Sequence, residues 1–263
     1  MEPKYCGAME QYVNLGAFYD AEALRSRKRE IMDITRAYKA CYTKAYNYLS
    51  AAGQLERELY SVLNTEAVNT IIKKRIKGIV SREMKKKAGR GKVAFRFLSA
   101  FTYEGIVCRF DTVEALCERV CTVDNAFGFA PDMLSLLADA AVENGYDIIL
   151  CKSPTAPDKI AHIMIPELSL AYISQSGKQK YIGKPYKHIR LDALADRELL
   201  RENRDSIRAG RKLLDALYHE GWTALADAKT LHDKLEAIYN PYVDFSGVDE
   251  LAEEHIKELA KFL

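Results

Sequence analysis

Residues 119–144 read RVCTVDNAFGFAPDMLSLLADAAVEN, a short apolar strand, a loop and an amphipathic helix. That succession is the setting of a phosphate-binding loop, in which a helix N-terminus and turned backbone amides face an anion. A working loop of the form GxxxxGK[ST] needs glycines so that N–H groups can wrap the phosphates. It also needs a Lys for the β/γ-phosphates and a hydroxyl for Mg²⁺. The stretch from Asp124 to Met133 has no Lys and a single glycine, Gly128. Pro131 stands in the Lys slot, bringing neither a cation nor a backbone donor. Asp132 and Met133 replace the hydroxyl, and Asp132 adds negative charge where phosphate would sit. The residues therefore argue against ordinary ATP hydrolysis at this loop.

No other set of residues offers clear chemistry. Six cysteines (6, 41, 108, 117, 121 and 151) lack paired zinc spacing and read as reduced cytosolic thiols. The five histidines are dispersed, with no HExxH and no arguable Ser/His/Asp set, so no metal site is expected.

The elements that position the loop include an internal repeat. Residues 12–64 align with 188–240 without gaps, and 14 of 53 pairs are identical. They include Asp20/Asp196, Glu22/Glu198, Arg25/Arg201, Tyr42/Tyr218 and Asn64/Asn240, beyond the leucines that any two amphipathic helices share. The first-copy counterpart of the loop falls before Met1, so the chain reads as the tail of one module followed by a whole second one.

Helical stripes run from Asp20, an expected N-cap, through Leu24, Ile31, Leu49 and Leu63, and again from Asp196 through Leu200, Ile207, Leu225 and Ile238. Pro241 interrupts the second, and 249–263 reads as a closing helix. Strands are expected at 93–98, 105–110, 119–123, 146–151, 159–165 and 168–174. Strands alternating with helices predict an α/β fold with a mostly parallel sheet flanked by helices and long helical appendages. The domains are expected as a helical tail of an incomplete first module (1–70), a basic connector (71–92) and a degenerate phosphate-loop α/β module with a helical arm (93–263). Residues 71–97 carry eleven Lys/Arg against one acid, Glu83, either a solvated helix end and linker or a surface for phosphate backbones. The chain has 263 residues, 48% hydrophobic and 29% charged, enough for a substantial core. No run approaches the roughly 18 apolar residues of a membrane span, and residues 1–11 lack the basic and apolar blocks of a signal peptide. A cytoplasmic location is expected.

Four further stretches, IMIPELSLAYIS, KHIRLDAL, AKTLHDKLEAIY and YVDFSGVDELAEE, give the chain a resemblance to a bacterial family of tandem P-loop ATPase-like proteins with two repeated modules. The resemblance covers nearly the whole chain. It places Asn125, Gly128, Ala130, Pro131, Asp132 and Met133 on the positions of the family's GxPGTGKST-like loop, and Gly128 alone matches. It also places Ser174 where the family carries an acidic residue at a strand end. Both departures imply a pseudo-NTPase without catalytic residues or cofactor, acting through a structural role or a protein partner, self-association included. Two alternatives stay open: a member that still binds ATP and Mg²⁺, or a nucleic-acid binder using the basic connector.

Overall fold

The computed structural model describes residues 12–177 and 179–262. The elements are α1 (Ala21–Ser26), α2 (Lys28–Leu63), α3 (Glu66–Glu83), β1 (Val93–Arg96), β2 (Ser99–Thr102), β3 (Gly105–Cys108), α4 (Phe110–Leu116) and β4 (Arg119–Asp124). They continue with α5 (Ala130–Glu143), β5 (Ile148–Lys152), β6 (Ile160–Ile165), β7 (Leu170–Gln175), β8 (Lys187–Ile189), α6 (Arg197–Glu202), α7 (Arg204–Tyr239) and α8 (Phe245–Leu259).

The fold is α/β. Six strands form one sheet in the order β1-β5-β6-β7-β4-β8. Ladders β1·β5, β4·β7 and β4·β8 are parallel, whereas β6 runs antiparallel to both β5 and β7. Every strand but β6 therefore points the same way. Strands β4, β6 and β7 are buried along almost their whole length, as interior strands covered on both faces must be. Edge strand β1 is mostly exposed. All six expected strand regions contain strands, but β3 pairs with β2 in a separate two-stranded hairpin. Neither β2 nor β8 is among the expected strands; β8 has three residues, of which Ile189 alone is buried.

One face of the sheet is covered by α3 and α5, with Ile72, Ile76, Met133, Leu134 and Leu137 in a core shared with Ile148, Ile163 and Leu170. The other face packs Val113 of α4 with Val120, Met164 and Ile173. Within the basic stretch 71–92, residues as far as Glu83 continue α3. Ile72, Ile76 and Ile79 point into the core while Ile71, Lys73, Lys74 and Lys77 stay exposed. Gly91 donates to the Val142 carbonyl, and a Cβ there would stand 1.9 Å from the Tyr146 oxygen, so this close approach requires glycine.

The repeat is visible in the elements themselves. Helices α1 and α2 have the same lengths and spacing as α6 and α7: six residues, one intervening residue, then 36. Asp20 and Asp196 cap the short helices alike, each carboxylate accepting the amides two and three positions on. The chain divides into two compact units at Tyr42/Thr43 and Ala226/Asp227, points that lie inside α2 and α7. The larger unit holds the sheet. There Leu49 meets Gly221 and Leu59 meets Gly210, so α2 and α7 run antiparallel. In the smaller unit the amide of Asp20 donates to the Tyr242 carbonyl, and Tyr19 packs on Tyr239 at 5.6 Å.

Candidate ligand cleft at the β4–α5 loop

The strand–loop–helix of residues 119–143 delivers residues 125–129 to the carboxyl end of β4, beside the carboxyl end of β7. This is where open α/β sheets place ligands. The six loop positions named from sequence do not act together. Asn125 turns its side chain onto the loop, its Oδ1 accepting the Ala130 amide at 3.1 Å in place of a conventional cap. Gly128 holds a left-handed φ of 81°, open to glycine at little cost. Ala130 and Met133 are fully buried, turned into the core rather than toward a ligand. Pro131, in the first turn of α5, serves as a helix starter with no N–H to satisfy. Asp132 accepts the hydroxyl of Tyr60 from α2.

The amides of residues 125–128 are already engaged. Asp192, on the turn after β8, accepts the Ala126 N–H at 3.1 Å with Oδ2 and the Phe127 N–H at 3.3 Å with Oδ1. Asn125 N–H donates to the Gln175 carbonyl, and Gly128 N–H reaches Asn125 O at 3.4 Å. Burial raises the Asp192 carboxyl above the usual carboxylate range, aided by nearby Asp124; the two amides and Arg211 oppose the shift. The neighbouring Leu191 is fully buried and fixes Asp192 against the loop. Gly128 is covered by Tyr60, whose ring lies 3.2 Å from where a Cβ would stand. Asp124 ends β4 and contacts His188 Nε2 at 2.5 Å.

Above the loop lies a cleft of about 450 Å³, bounded by α2, α7 and the sheet edge. Ser174, the strand-end residue in place of an acidic one, is buried and lines it. Two cations border the cleft. Lys159 Nζ sits 5.5 Å from the centre of the Tyr60 ring. The Arg211 guanidinium lies 5.0 Å from the Phe127 ring and donates to the Ala126 carbonyl at 3.3 Å. Neither forms an ion pair with a carboxylate among the described residues. Tyr218 donates to Glu56 at 2.6 Å, and burial chiefly, with that carboxylate, raises its phenol. Trp222 completes the wall.

No protein family, curated protein or solved structure matches this chain. The cleft must therefore be read from its own chemistry. The sequence pointed to the loop, but Asp192, Tyr60, Lys159 and Arg211 had no signal of their own. They lie from 30 to 82 positions from the nearest residue of the 125–129 loop, on segments that approach only in the folded chain. Asp192 does fall within the KHIRLDAL stretch. Outside the cleft, His232, Asp233 and Glu236 on α7 bring ligand-type atoms within 4.8 Å of one another. Lys229 already neutralises Asp233. No helix of the described residues is long and apolar enough to cross a membrane.

Proposed function

We propose that the chain is a non-catalytic module built on a P-loop-like frame of the tandem ATPase-like kind, acting by binding rather than by phosphoryl transfer. The observation that carries this reading is the pair of bonds from the Ala126 and Phe127 amides to Asp192. A phosphate at this loop would need those donors, and would have to displace a carboxylate held by charge-assisted hydrogen bonds. With Pro131 in the Lys slot, no loop cation remains to offset the charge of Asp192 and the incoming anion.

A partner-binding role is supported by the repeat. Leu191 is fully buried where the second copy meets the sheet, whereas its first-copy counterpart Leu15 is 52% exposed. The first copy thus carries an apolar face of the kind an α/β sheet covers elsewhere in the same chain. A cytoplasmic location belongs to the same proposal, in keeping with five free cysteines among the described residues.

The test is calorimetric titration of the folded chain with Mg·ATP and Mg·GTP, with thermal unfolding alongside. The expected result is no saturable heat and no rise in Tm. Binding of either nucleotide with defined stoichiometry would overturn the reading, because a ligand of the native state must raise its stability by RT ln(1 + [L]/Kd).

A further inference from the structure

We propose that the cleft above the loop is a binding site for an aromatic monocarboxylate, with the carboxylate taken by Lys159 and Arg211 and the ring system lodged toward Tyr218 and Trp222. This deepens the binding role above, and rests on the closed loop in one respect: the anion must be held by side chains, because the amides are engaged.

Three features select that ligand class. The first is the size and position of the cleft. About 450 Å³ at the carboxyl ends of β4 and β7 falls within the range of small-molecule sites and suits a body of two or three rings. The second is the pair of cations. Lys159 and Arg211 are held over Tyr60 and Phe127 rather than by carboxylates. The Tyr60 and Phe127 rings both pack on Phe129, each at 6.2 Å between centroids, so the two cations stand over neighbouring rings at one end of the cleft. A cation held on an aromatic face keeps N–H donors for an anion, and the Arg211 guanidinium, which gives one N–H to the Ala126 carbonyl, has others to offer a carboxylate.

The third is the distribution of the other charges. Arg211 and Trp222 stand about 16 Å apart along α7 at 1.5 Å per residue. Glu56 and Asp215 line the stretch between the ends. They repel negative charge from the middle and disfavour a polyanion, which leaves room for one charge, at the Lys159–Arg211 end. At the far end Trp222 is stacked on Phe101 at 5.8 Å, and Tyr218 is held by Glu56. Rigid aromatic walls bind planar apolar bodies with little loss of side-chain entropy.

Trp222 is the chain's single tryptophan, so its emission reports on the cleft alone. The full-length protein is titrated with 8-anilinonaphthalene-1-sulfonate, followed by competition with 1-naphthoate or its uncharged isostere 1-naphthamide. The expected result is saturable one-to-one quenching of Trp222, relieved by 1-naphthoate and not by 1-naphthamide. Lys159→Gln should weaken 1-naphthoate about tenfold, the scale of one charge-assisted contact. Arg211→Gln should do the same. Lys234→Gln, on α7 outside the cleft, should leave affinity unchanged. Lys159→Gln keeps the test open if the Arg211 variant unfolds. Equal competition by the amide, an unaltered affinity in Lys159→Gln, or absence of Trp222 quenching would each sink the proposal. Mg·ATP added to the same samples tests the closed loop separately. Nucleotide binding there would refute the non-catalytic reading, whereas failure of 1-naphthoate refutes the ligand class and leaves the loop reading intact.

Discussion

The Asp192 carboxylate accepts the amide of Phe127 at 3.3 Å, with its second oxygen on the preceding amide at 3.1 Å, and so closes the loop from 65 positions away. Asp192→Ala removes two bonds to a charged acceptor. Because Ala126 is exposed and water can replace its partner, the expected loss is about 1–2 kcal/mol rather than the full value for two buried bonds. Urea unfolding of both proteins measures it. The carboxyl is raised in the folded state, so the native chain binds its proton more readily than the unfolded chain. Its contribution therefore improves as pH falls through the folded value and is lost as pH rises. Asp192→Asn cannot titrate, and the difference in stability between the two proteins should change with pH in that sense. A difference that stays level from pH 4 to 7 would contradict it.

Buried His162 sets an opposite dependence. Both ring nitrogens lack a hydrogen-bond partner among the described residues, and the ring lies edge-on to Phe110 at 5.9 Å. Burial pulls its pKa from 6.5 down to about 4. The unfolded chain then takes up a proton first, and stability falls as pH drops between those values, at a slope of about 1.4 kcal/mol per unit. His162→Leu should flatten this part of the pH–stability curve and stabilise the protein at pH 5. An unchanged acid limb, followed by circular dichroism, would show that another group controls it.

Gly128→Ala probes the loop itself. The left-handed φ of 81° disfavours a side chain by about 1–2 kcal/mol. The new methyl would also press on Tyr60 at 3.2 Å and disturb its bond to Asp132. The variant should be less stable by at least the backbone amount, and Tyr60→Phe alone by about 1 kcal/mol for its lost hydrogen bond. A Gly128→Ala protein with wild-type Tm would mean that the loop adopts another conformation in solution.

The two copies of the repeat should respond differently to the same change. Leu191→Asp places a carboxylate in the core and removes a buried leucine, at a cost of about 4 kcal/mol or more. Leu15→Asp should alter stability by less than about 0.5 kcal/mol, as exposed substitutions do. If sedimentation shows that the wild-type chain self-associates, Leu15→Asp should reduce it. Equal destabilisation in both copies would mean that Leu15 is covered in solution.

Much of the fold was legible in the sequence because its causes are local. Helical stripes, Asp caps and buried apolar runs depend on residues within a few positions of each other, and they marked α2, α7 and the strands β1 and β3 to β7. The offset between residues 12–64 and 188–240 even carried over to helix ends, since equal spacing of caps and leucines imposes equal helices. Strands β2 and β8 escaped notice because pairing with β3 and β4, rather than any local pattern, defines them.

By itself the sequence determined that the loop lacks a Lys, a hydroxyl and all but one glycine, because those are properties of side-chain type. Tertiary structure alone decided what the loop holds instead. Asp192, Tyr60, Lys159 and Arg211 come from four separate elements, and only long-range packing brings them to one sheet edge. The same holds for β6, which lies antiparallel between β5 and β7. Its near-continuous buried run is compatible with either direction, and the ladder hydrogen bonds settle the choice.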